Sequence, residues 1–363
     1  MATHKTHKAV VTMGIGGYEM LEYKDISTAE CGRNQVLLEV RAMGVNNTDI
    51  NTRIGWYDQG GDEDEAGGDE DEGEQKKGWN GSATPFPLIQ GTDACGVVLE
   101  VGDAVENPEE LLGKLCIVQS CTKEGWFGTD FAGAFQEKVV VGADRVFVLD
   151  REKCKLSDVQ LGAIPCSYGT AEAMLLRAGV TSEMKVCVPG ASGGVAGAVI
   201  DLCARARGVV EVVAIVGKGK GKLLEEAYEG LRVRIVEGRW GEQGWKDAMA
   251  DLAGTVDVVV DNVGGSGVND LLKTLKRGGK YVTSGAIAGA EVNVDLRTLY
   301  LNDLSMLGST EWGAQTFPNL VSYIEGDRIS PQVTKVFALK DIAKAQEEFL
   351  DKTSKIGKFV LTP

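Results

Sequence analysis

The feature that constrains the fold most is a short apolar strand that runs through a glycine-rich turn into an apolar helix, over residues 186–207. The turn reads Pro-Gly-Ala-Ser-Gly-Gly. Further short and almost wholly apolar strands alternate with helical patterns as far as residue 308, at residues 210–216, 256–260 and 281–283. Continuous apolar strands between helices are typical of a parallel sheet covered on both faces. The second half of the chain therefore predicts an α/β fold with a doubly wound parallel sheet.

The first half of the chain has a different pattern. Residues 9–55 and 85–150 contain short strands separated by turns, and apolar and polar side chains alternate over residues 36–40 and 97–101. This pattern predicts a compact, mostly β domain. A capping-box pattern at residues 157–160 then marks the start of the helical segments.

The chain has only two histidines, His4 and His7, among 363 residues. Residues 190–194 fit the G-x-S-x-G turn of serine hydrolases. That serine needs a general base, however, and the order of the triad places a histidine downstream of it. No histidine follows position 7. The composition therefore excludes a serine hydrolase, a cysteine–histidine nucleophile pair and a zinc site that needs an interior histidine.

A second interpretation of the same turn is a dinucleotide-binding site. Gly190, Gly193 and Ala196 have the spacing that lets the backbone approach a pyrophosphate at the N-terminus of the helix, although a tight strand-to-helix turn remains the alternative. The next strand ends at Val216, where an acid would hold the ribose of NAD. This chain instead continues Gly217-Lys218-Gly219-Lys220-Gly221-Lys222. Three lysines without an acid favour the 2′-phosphate of NADPH, unless they form an ordinary solvated loop.

The negative charge is concentrated in one segment. Lysine and arginine total 38, aspartate and glutamate total 53, and the formal net charge is −15. Residues 58–78 contain ten acids and two lysines, Lys76 and Lys77, so the net charge of this segment is −8. The other 342 residues together carry a net charge of −7. This glycine-rich segment has almost no apolar side chains and predicts a mobile acidic insertion. It is interpreted as a solvated loop, or alternatively as a lid or partner-contact element beside an active site.

Composition also excludes several partners. The negative charge argues against a protein that tracks nucleic-acid phosphates. No run of 18 apolar residues is present to span a membrane, and the N-terminus lacks the apolar stretch of a secretory signal. Eight cysteines are too few for a disulfide scaffold and indicate a reducing compartment. We expect a cytoplasmic protein that binds neither nucleic acid nor a membrane.

Motifs in a fixed order along the chain resemble those of one family. They are Gly44-Val45-Asn46 with Arg53, Gly55 and Tyr57; Gly91-Thr92-Asp93-Ala94-Cys95-Gly96-Val97-Val98; Gly133-Ala134-Phe135-Gln136-Glu137; Thr170-Ala171; the glycine turn; Asp261-Asn262-Val263-Gly264-Gly265; and Gly357-Lys358-Phe359-Val360-Leu361. Together they cover nearly the whole length. In this order the chain resembles the medium-chain dehydrogenase/reductase superfamily, in particular its zinc-independent, quinone-oxidoreductase-like branch.

The resemblance implies a particular domain organisation. Residues 1–150 would form a GroES-like, mostly β catalytic domain, onto which residues 316–363 fold back. Residues 151–315 would form a Rossmann dinucleotide-binding domain. The family also implies an active cleft between the domains and, commonly, a homodimer.

The sequence departs from the zinc-using members of that family. Those members have a cysteine where Asn46 stands and a His-Glu pair where Thr92 and Asp93 stand. Only Cys166 matches a third ligand position, and one thiolate does not hold a catalytic zinc. Their four-cysteine structural lobe is also missing, because Cys116 and Cys121 have no second pair nearby. We therefore expect no zinc.

The expected activity follows from the resemblance and from this departure. Without a metal to stabilise an alkoxide, the scaffold suits hydride transfer to an already activated acceptor. The resemblance implies NADPH-dependent reduction of a small-molecule quinone, or of the activated double bond of an enal or enone. Two alternatives remain open, an enoyl-thioester reductase for acyl chains on coenzyme A or a carrier protein, and a non-enzymatic NADPH-binding regulatory or structural protein. A zinc alcohol dehydrogenase is disfavoured.

Three residues of the first domain are candidates for catalysis, because the family places their segment on the cleft wall. Asn46 would donate its amide to the substrate oxygen, Tyr57 would orient the substrate or donate a proton, and Thr48 matches a proton-relay hydroxyl. Each has a structural alternative: a turn residue for Asn46, packing for Tyr57 and a helix cap for Thr48.

The resemblance also assigns the cofactor contacts of the second domain. The nicotinamide amide is assigned to Thr170. The pyrophosphate is assigned to the turn residues Gly190, Ser192, Gly193, Gly194 and Val195. The 2′-phosphate is assigned to Lys218 or Lys222, next to Gly217, and the nicotinamide ribose to Asn262, Val263, Gly285 and Ala286.

Overall fold

The computed structural model describes residues 6–57, 84–351 and 355–363, which form two compact units. The first unit contains the described residues up to Val148, together with Val336–Leu350 and Phe359–Pro363. The second contains Leu149–Lys335, Asp351 and residues 355–358. The acidic insertion predicted at residues 58–78 lies outside the described residues. In the part of the chain that is described, no helix is both long and apolar enough to cross a bilayer.

The elements are numbered along the chain. The strands are β1 (Thr6–Thr12), β2 (Leu21–Ser27), β3 (Gln35–Gly44), β4 (Cys95–Val101), β5 (Leu115–Val118), β6 (Cys121–Thr122), β7 (Gly125–Trp126), β8 (Lys138–Gly142), β9 (Val146–Val148), β10 (Lys185–Pro189), β11 (Glu211–Val216), β12 (Val233–Glu237), β13 (Val256–Asp261), β14 (Leu275–Thr283), β15 (Ser305–Gly308), β16 (Val333–Ala338) and β17 (Lys358–Thr362). The helices are α1 (Asn47–Arg53), α2 (Asp158–Leu161), α3 (Pro165–Ala178), α4 (Gly194–Asp201), α5 (Gly221–Ala227), α6 (Gln243–Leu252), α7 (Val268–Thr274), α8 (Leu296–Leu301), α9 (Thr316–Glu325) and α10 (Ile342–Leu350). A π-helical segment, Leu202–Arg207, continues α4, and short 3₁₀ helices lie at Tyr18–Met20, Pro108–Glu110, Ala143–Arg145, Gly265–Gly267 and Leu339–Asp341.

The first unit is built on strands, as its alternating pattern predicts. Its main sheet has the order β16-β17-β3-β4-β5-β9, and β8 also pairs with β3. The pairs β3–β4, β3–β8, β4–β5 and β5–β9 are all antiparallel. Apolar side chains of β3, β4, β5 and β8 form its core, together with Phe337 and Phe359 from the C-terminal strands. Because β17 pairs with β3, the end of the chain is part of this sheet.

His7 is the one histidine among the described residues, and its role is structural. It is buried in β1. Its two ring nitrogens lie 2.9 Å from Thr28 Oγ1 and 3.1 Å from Gln136 Oε1. Both nitrogens are therefore engaged within the first unit.

The second unit contains a six-stranded sheet with the order β12-β11-β10-β13-β14-β15. All five strand pairs are parallel. The predicted doubly wound parallel sheet is therefore confirmed. The strand order reverses between β10 and β13, and ligands of such sheets bind at the carboxyl ends of the strands on either side of this switch point.

Local signals fix the helix ends, and one of them is the capping box predicted at residues 157–160. Ser157 caps α2, and its hydroxyl accepts the N–H of Gln160. Gly179 and Gly208 have left-handed backbone conformations where α3 and the π-helical segment end.

The C-terminal boundary between the units differs from the predicted one. We expected residues from 316 onward to return to the first domain, but the return begins at Val336. Helix α9 belongs to the second unit because it packs against α3. Asn319 and Tyr323 of α9 also donate hydrogen bonds to the buried carboxylate of Glu172 on α3.

Candidate functional site

Two loops meet at the switch point of the second unit, and their contact requires a glycine. Gly190 follows β10 with a φ of +66°, in the left-handed region. A Cβ on Gly190 would lie 2.5 Å from Cγ2 of Val263, in the loop after β13. A side chain at position 190 therefore fits neither the backbone conformation nor the space.

The turn after Gly190 leads directly into the N-terminus of α4. The N–H of Gly193 donates to the Gly190 carbonyl at 2.9 Å, and the N–H of Ala191 donates to the carbonyl of Ile215 in β11 at 3.0 Å. Gly193 is the N-cap of α4, so the residues assigned to the pyrophosphate, Ser192, Gly193, Gly194 and Val195, lie together at this helix end. The first N–H groups of a helix lack intrahelical acceptors and attract anions. The arrangement fits a pyrophosphate.

The three lysines after β11 differ in how far their side chains are exposed to solvent. Lys218 is exposed. The side chain of Lys222 is 86% exposed, with its ammonium 3.9 Å from Glu226. Lys220 is only 6% exposed, and its Nζ donates to Ser192 Oγ at 3.2 Å. Lys220, which we did not predict as a cofactor contact, therefore brings a positive charge to the glycine turn.

The loops after β13 and β14 are joined by hydrogen bonds. Asn262 Oδ1 accepts the N–H of Ser284 at 3.1 Å, and the Val263 carbonyl accepts the N–H of Ala288 at 2.8 Å. These bonds bring Asn262 and Val263 close to Gly285 and Ala286, the other two residues assigned to the nicotinamide ribose.

Helix α3 contributes to the same region. Asn262 Nδ2 lies 3.6 Å from the sulfur of Met174 on α3. Thr170 lies one turn earlier, on the same face of the helix, and is half-buried. The structure therefore places the residue assigned to the nicotinamide amide beside the loop assigned to its ribose.

Asp261 holds the loop after β13 in shape. Its buried carboxylate accepts the hydroxyl of Tyr281 at 2.6 Å and the N–H groups of Val263 and Gly264 at 2.6 and 3.2 Å. Burial raises the pKa of Asp261, and these hydrogen bonds oppose that rise. Asp261 stood in a motif that the sequence analysis quoted, but only the structure shows that it positions Val263 against Gly190.

In the first unit, the side chain of Asn46 makes its hydrogen bonds to other residues of the protein. Asn46 is the N-cap of α1, and its backbone N–H donates to Asp49 Oδ2 at 2.7 Å in a capping box. Its amide nitrogen donates to Thr92 Oγ1 at 2.9 Å and to Asp93 Oδ2 at 2.8 Å. Both amide N–H groups are thus engaged, which favours a structural role for Asn46 over donation to a substrate.

Thr48 and Tyr57 lie in the same segment as Asn46. Thr48 is half-buried at the second position of α1, so it is not the helix cap. Tyr57 is half-buried, and its ring packs edge-on against Trp56 with centroids 5.0 Å apart. The three catalytic candidates therefore belong to the first unit and the cofactor candidates to the second.

No metal centre is evident among the described residues. Within residues 6–57, 84–351 and 355–363, no group of three or more histidine, cysteine, aspartate or glutamate side chains is arranged to hold a metal ion. All eight cysteines are free thiols. Cys166, the cysteine that matches a zinc-ligand position, is buried in α3. At a different place, in β5, burial raises the pKa of the Cys116 thiol to about 12.

Comparisons with known proteins match both units. Residues 32–151 match the family model of the alcohol dehydrogenase GroES-like domain, and residues 194–326 match that of the zinc-binding dehydrogenase. A crystal structure of a candidate alcohol dehydrogenase from Sinorhizobium meliloti 1021 is similar, with a TM-score of 0.85 and 35% identity over 99% of this chain and 97% of that one. The quinone oxidoreductase of Mus musculus is 26% identical over 99% of both chains. The chloroplastic NADPH-dependent alkenal/one oxidoreductase of Arabidopsis thaliana is 24% identical over 99% of this chain and 80% of its own length.

Proposed function

Because this chain belongs to the medium-chain dehydrogenase/reductase superfamily, whose members are nicotinamide-dependent oxidoreductases, we propose that it transfers hydride from NADPH to a quinone or to the activated double bond of an enal or enone. The names of the mouse and Arabidopsis relatives support this class of acceptor. The reaction is proposed to proceed without a metal.

The choice of NADPH rests on one observation, the carboxyl end of β11. Gly217 follows this strand where an NAD-binding protein carries an acid. Lys218 comes next, and Lys220 reaches the glycine turn. Positive charge and the missing carboxylate at this point favour a cofactor with an additional phosphate.

The proposal of metal-free chemistry rests on the side chains around Asn46. The amide of Asn46 satisfies the hydroxyl of Thr92 and the carboxylate of Asp93, where zinc-using relatives carry thiolate and imidazole ligands. NADPH supplies the hydride, so the protein has to orient the acceptor and stabilise its developing oxyanion. We assign the orienting role to Tyr57, and Asn46 would contribute only if one of its amide N–H groups is released.

The experiment is a panel of acceptors assayed by NADPH oxidation, with the metal content measured on the same preparation. We expect turnover with ortho-quinones, 2-alkenals or aryl enones, no loss of activity in a strong chelator, and less than one zinc per ten chains. Preference for a crotonyl thioester would support the enoyl-thioester alternative. NADPH binding without turnover of any acceptor would support the non-enzymatic one. Stoichiometric zinc with alcohol oxidation would contradict the proposal.

We also propose that the chain is a homodimer, joined at the outer strand of the parallel sheet. Within the described residues β15 is paired on one side only, with β14. Beside it α8 exposes Leu296, Tyr300 and Leu301, and β15 exposes Met306. An open strand edge beside exposed apolar side chains is typical of an association surface.

The predicted cytoplasmic location stays a prediction.

Charge placed on this surface is expected to separate the dimer. The double variant Leu296→Lys/Met306→Lys should lower the mass measured by light scattering from twice 38.6 kDa to 38.6 kDa. The control is Leu112→Lys, which alters another exposed leucine, in the first unit, and should leave the dimer intact. A monomeric wild-type protein, or a double variant that stays dimeric, would contradict this interface.

A further inference from the structure

Arg239 lies beside the carboxyl end of β11 although it belongs to the loop after β12. A Cβ built on Gly217 would lie 2.9 Å from Arg239 Nε and 3.3 Å from Nη2. The guanidinium therefore occupies the space into which a side chain at position 217 would extend. In NAD-binding sheets of this topology that position carries the acid that binds the adenosine ribose. Here a cation replaces the acid, and it comes from a different strand.

The backbone around Arg239 is held against β11. The N–H of Gly238 donates to the Val216 carbonyl at 2.9 Å, and the N–H of Arg239 donates to the Glu242 carboxylate at 3.1 Å. Gly238 itself is closely packed, because a Cβ on it would lie 2.5 Å from the backbone nitrogen of Trp245. These contacts fix where the Arg239 side chain starts, while the side chain itself is exposed.

The other charges around this loop leave the guanidinium available to an anion. Glu237 is the acid at the end of β12, and its Oε1 accepts the N–H groups of Gly219 and Gly221 at 3.2 and 2.6 Å. Its negative charge is therefore offset by the backbone at the start of α5. Lys222 points to Glu226 within α5. Lys218, one residue beyond Gly217, is also exposed and adds a positive charge to the loop after β11.

We propose that Arg239 is the principal ligand of the cofactor's 2′-phosphate and the residue that determines preference for NADPH over NADH. The inference rests on the proposed function and makes it more specific. Lys218 assists Arg239, and Lys222, the other residue predicted for this role, does not take part. A planar guanidinium binds a phosphate through two parallel hydrogen bonds, which a single ammonium does not reproduce.

The test measures dissociation constants of the full-length Arg239→Ala variant for NADPH, NADH and adenosine 2′,5′-bisphosphate. We expect the affinities for NADPH and the bisphosphate to fall by at least about tenfold and the affinity for NADH to change by less than about twofold, because only the first two carry the 2′-phosphate. Arg239→Lys should recover part of the loss. The control is Arg232→Ala, which removes an exposed arginine just before the opposite end of β12 and should change none of the three constants.

Two results would overturn the role of Arg239. One is an equal loss of affinity for NADPH and NADH, which would indicate a general structural effect. The other is an NADPH preference that survives in Arg239→Ala and is abolished in Lys218→Ala or Lys222→Ala. A wild-type protein that binds NADH as tightly as NADPH would instead contradict the proposed cofactor itself, so the two failures are distinguishable.

Discussion

Replacing Gly190 with alanine is expected to destabilise the second unit by about 3 kcal/mol and to weaken NADPH binding by more than about tenfold. The left-handed backbone at position 190 costs a residue with a Cβ about 1–2 kcal/mol. The new methyl group would also lie 2.5 Å from Val263 Cγ2, and such overpacking costs about 1–3 kcal/mol more. Relief of that clash moves Val263 or the turn, and both belong to the proposed cofactor site. Urea unfolding and a fluorescence titration with NADPH measure the two effects.

The control for Gly190→Ala is Gly208→Ala. Gly208 has nearly the same backbone conformation, with a φ of +62°, but a Cβ on it would meet no atom within 4 Å. Gly208→Ala should therefore cost only the conformational part, about 1 kcal/mol, and leave NADPH binding unchanged. Adding Val263→Ala to Gly190→Ala should recover stability, because it removes the clashing methyl group. Equal losses in the two single variants would show that contact with Val263 contributes nothing.

The sequence predicted those parts of the site whose structure depends on residues close together along the chain. The glycine turn was predictable because a positive φ and a close backbone approach require glycine at position 190 itself. The parallel sheet was predictable because strands that are buried on both faces are almost wholly apolar. The fully buried Val186, Val213 and Val259 lie in three such strands.

The parts that the sequence did not predict depend on contacts between distant segments. Lys218 and Lys220 each stand between two glycines, so nothing local distinguishes the buried Lys220 from the exposed Lys218. Arg239 belongs to no motif and reaches Gly217 only because β11 and β12 are adjacent and parallel. The two bonds of the Asn46 amide likewise depend on Thr92 and Asp93, which lie more than 40 residues away.

The misplaced C-terminal boundary has a cause of the same kind. Helix α9 is amphipathic and could cover either unit, so its sequence alone does not assign it. Hydrogen bonds to a buried carboxylate hold α9 on the second unit. Glu172 on α3 accepts hydrogen bonds from Arg207 Nη2 at 2.7 Å, from Asn319 Nδ2 at 2.7 Å and from the Tyr323 hydroxyl at 3.3 Å. These bonds join α3, the π-helical segment and α9.

Glu172→Ala is expected to destabilise the second unit by about 3–5 kcal/mol, as measured by urea unfolding. Glu172 is fully buried, and the side chain of Arg207 is only 14% exposed. Burial by itself lowers the pKa of Arg207, but the Glu172 carboxylate outweighs it and raises that pKa, so the guanidinium stays charged. Removing the carboxylate leaves this charge buried without its acidic partner, which costs more than the lost hydrogen bonds alone.

An exposed ion pair serves as the control that shows how much of the loss is due to the burial of Glu172 and Arg207. Asp103 pairs with Arg33 at 3.1 Å, but the two side chains are 75% and 80% exposed, and Asp103→Ala should cost less than about 1 kcal/mol. Glu172→Met/Arg207→Met should recover much of the loss, because it removes the unpaired charge as well. Because α3 also carries Thr170 and Met174, Glu172→Ala should weaken NADPH binding even where the protein is folded. A loss no larger than that of Asp103→Ala would mean that Glu172 does not hold α9 on the second unit.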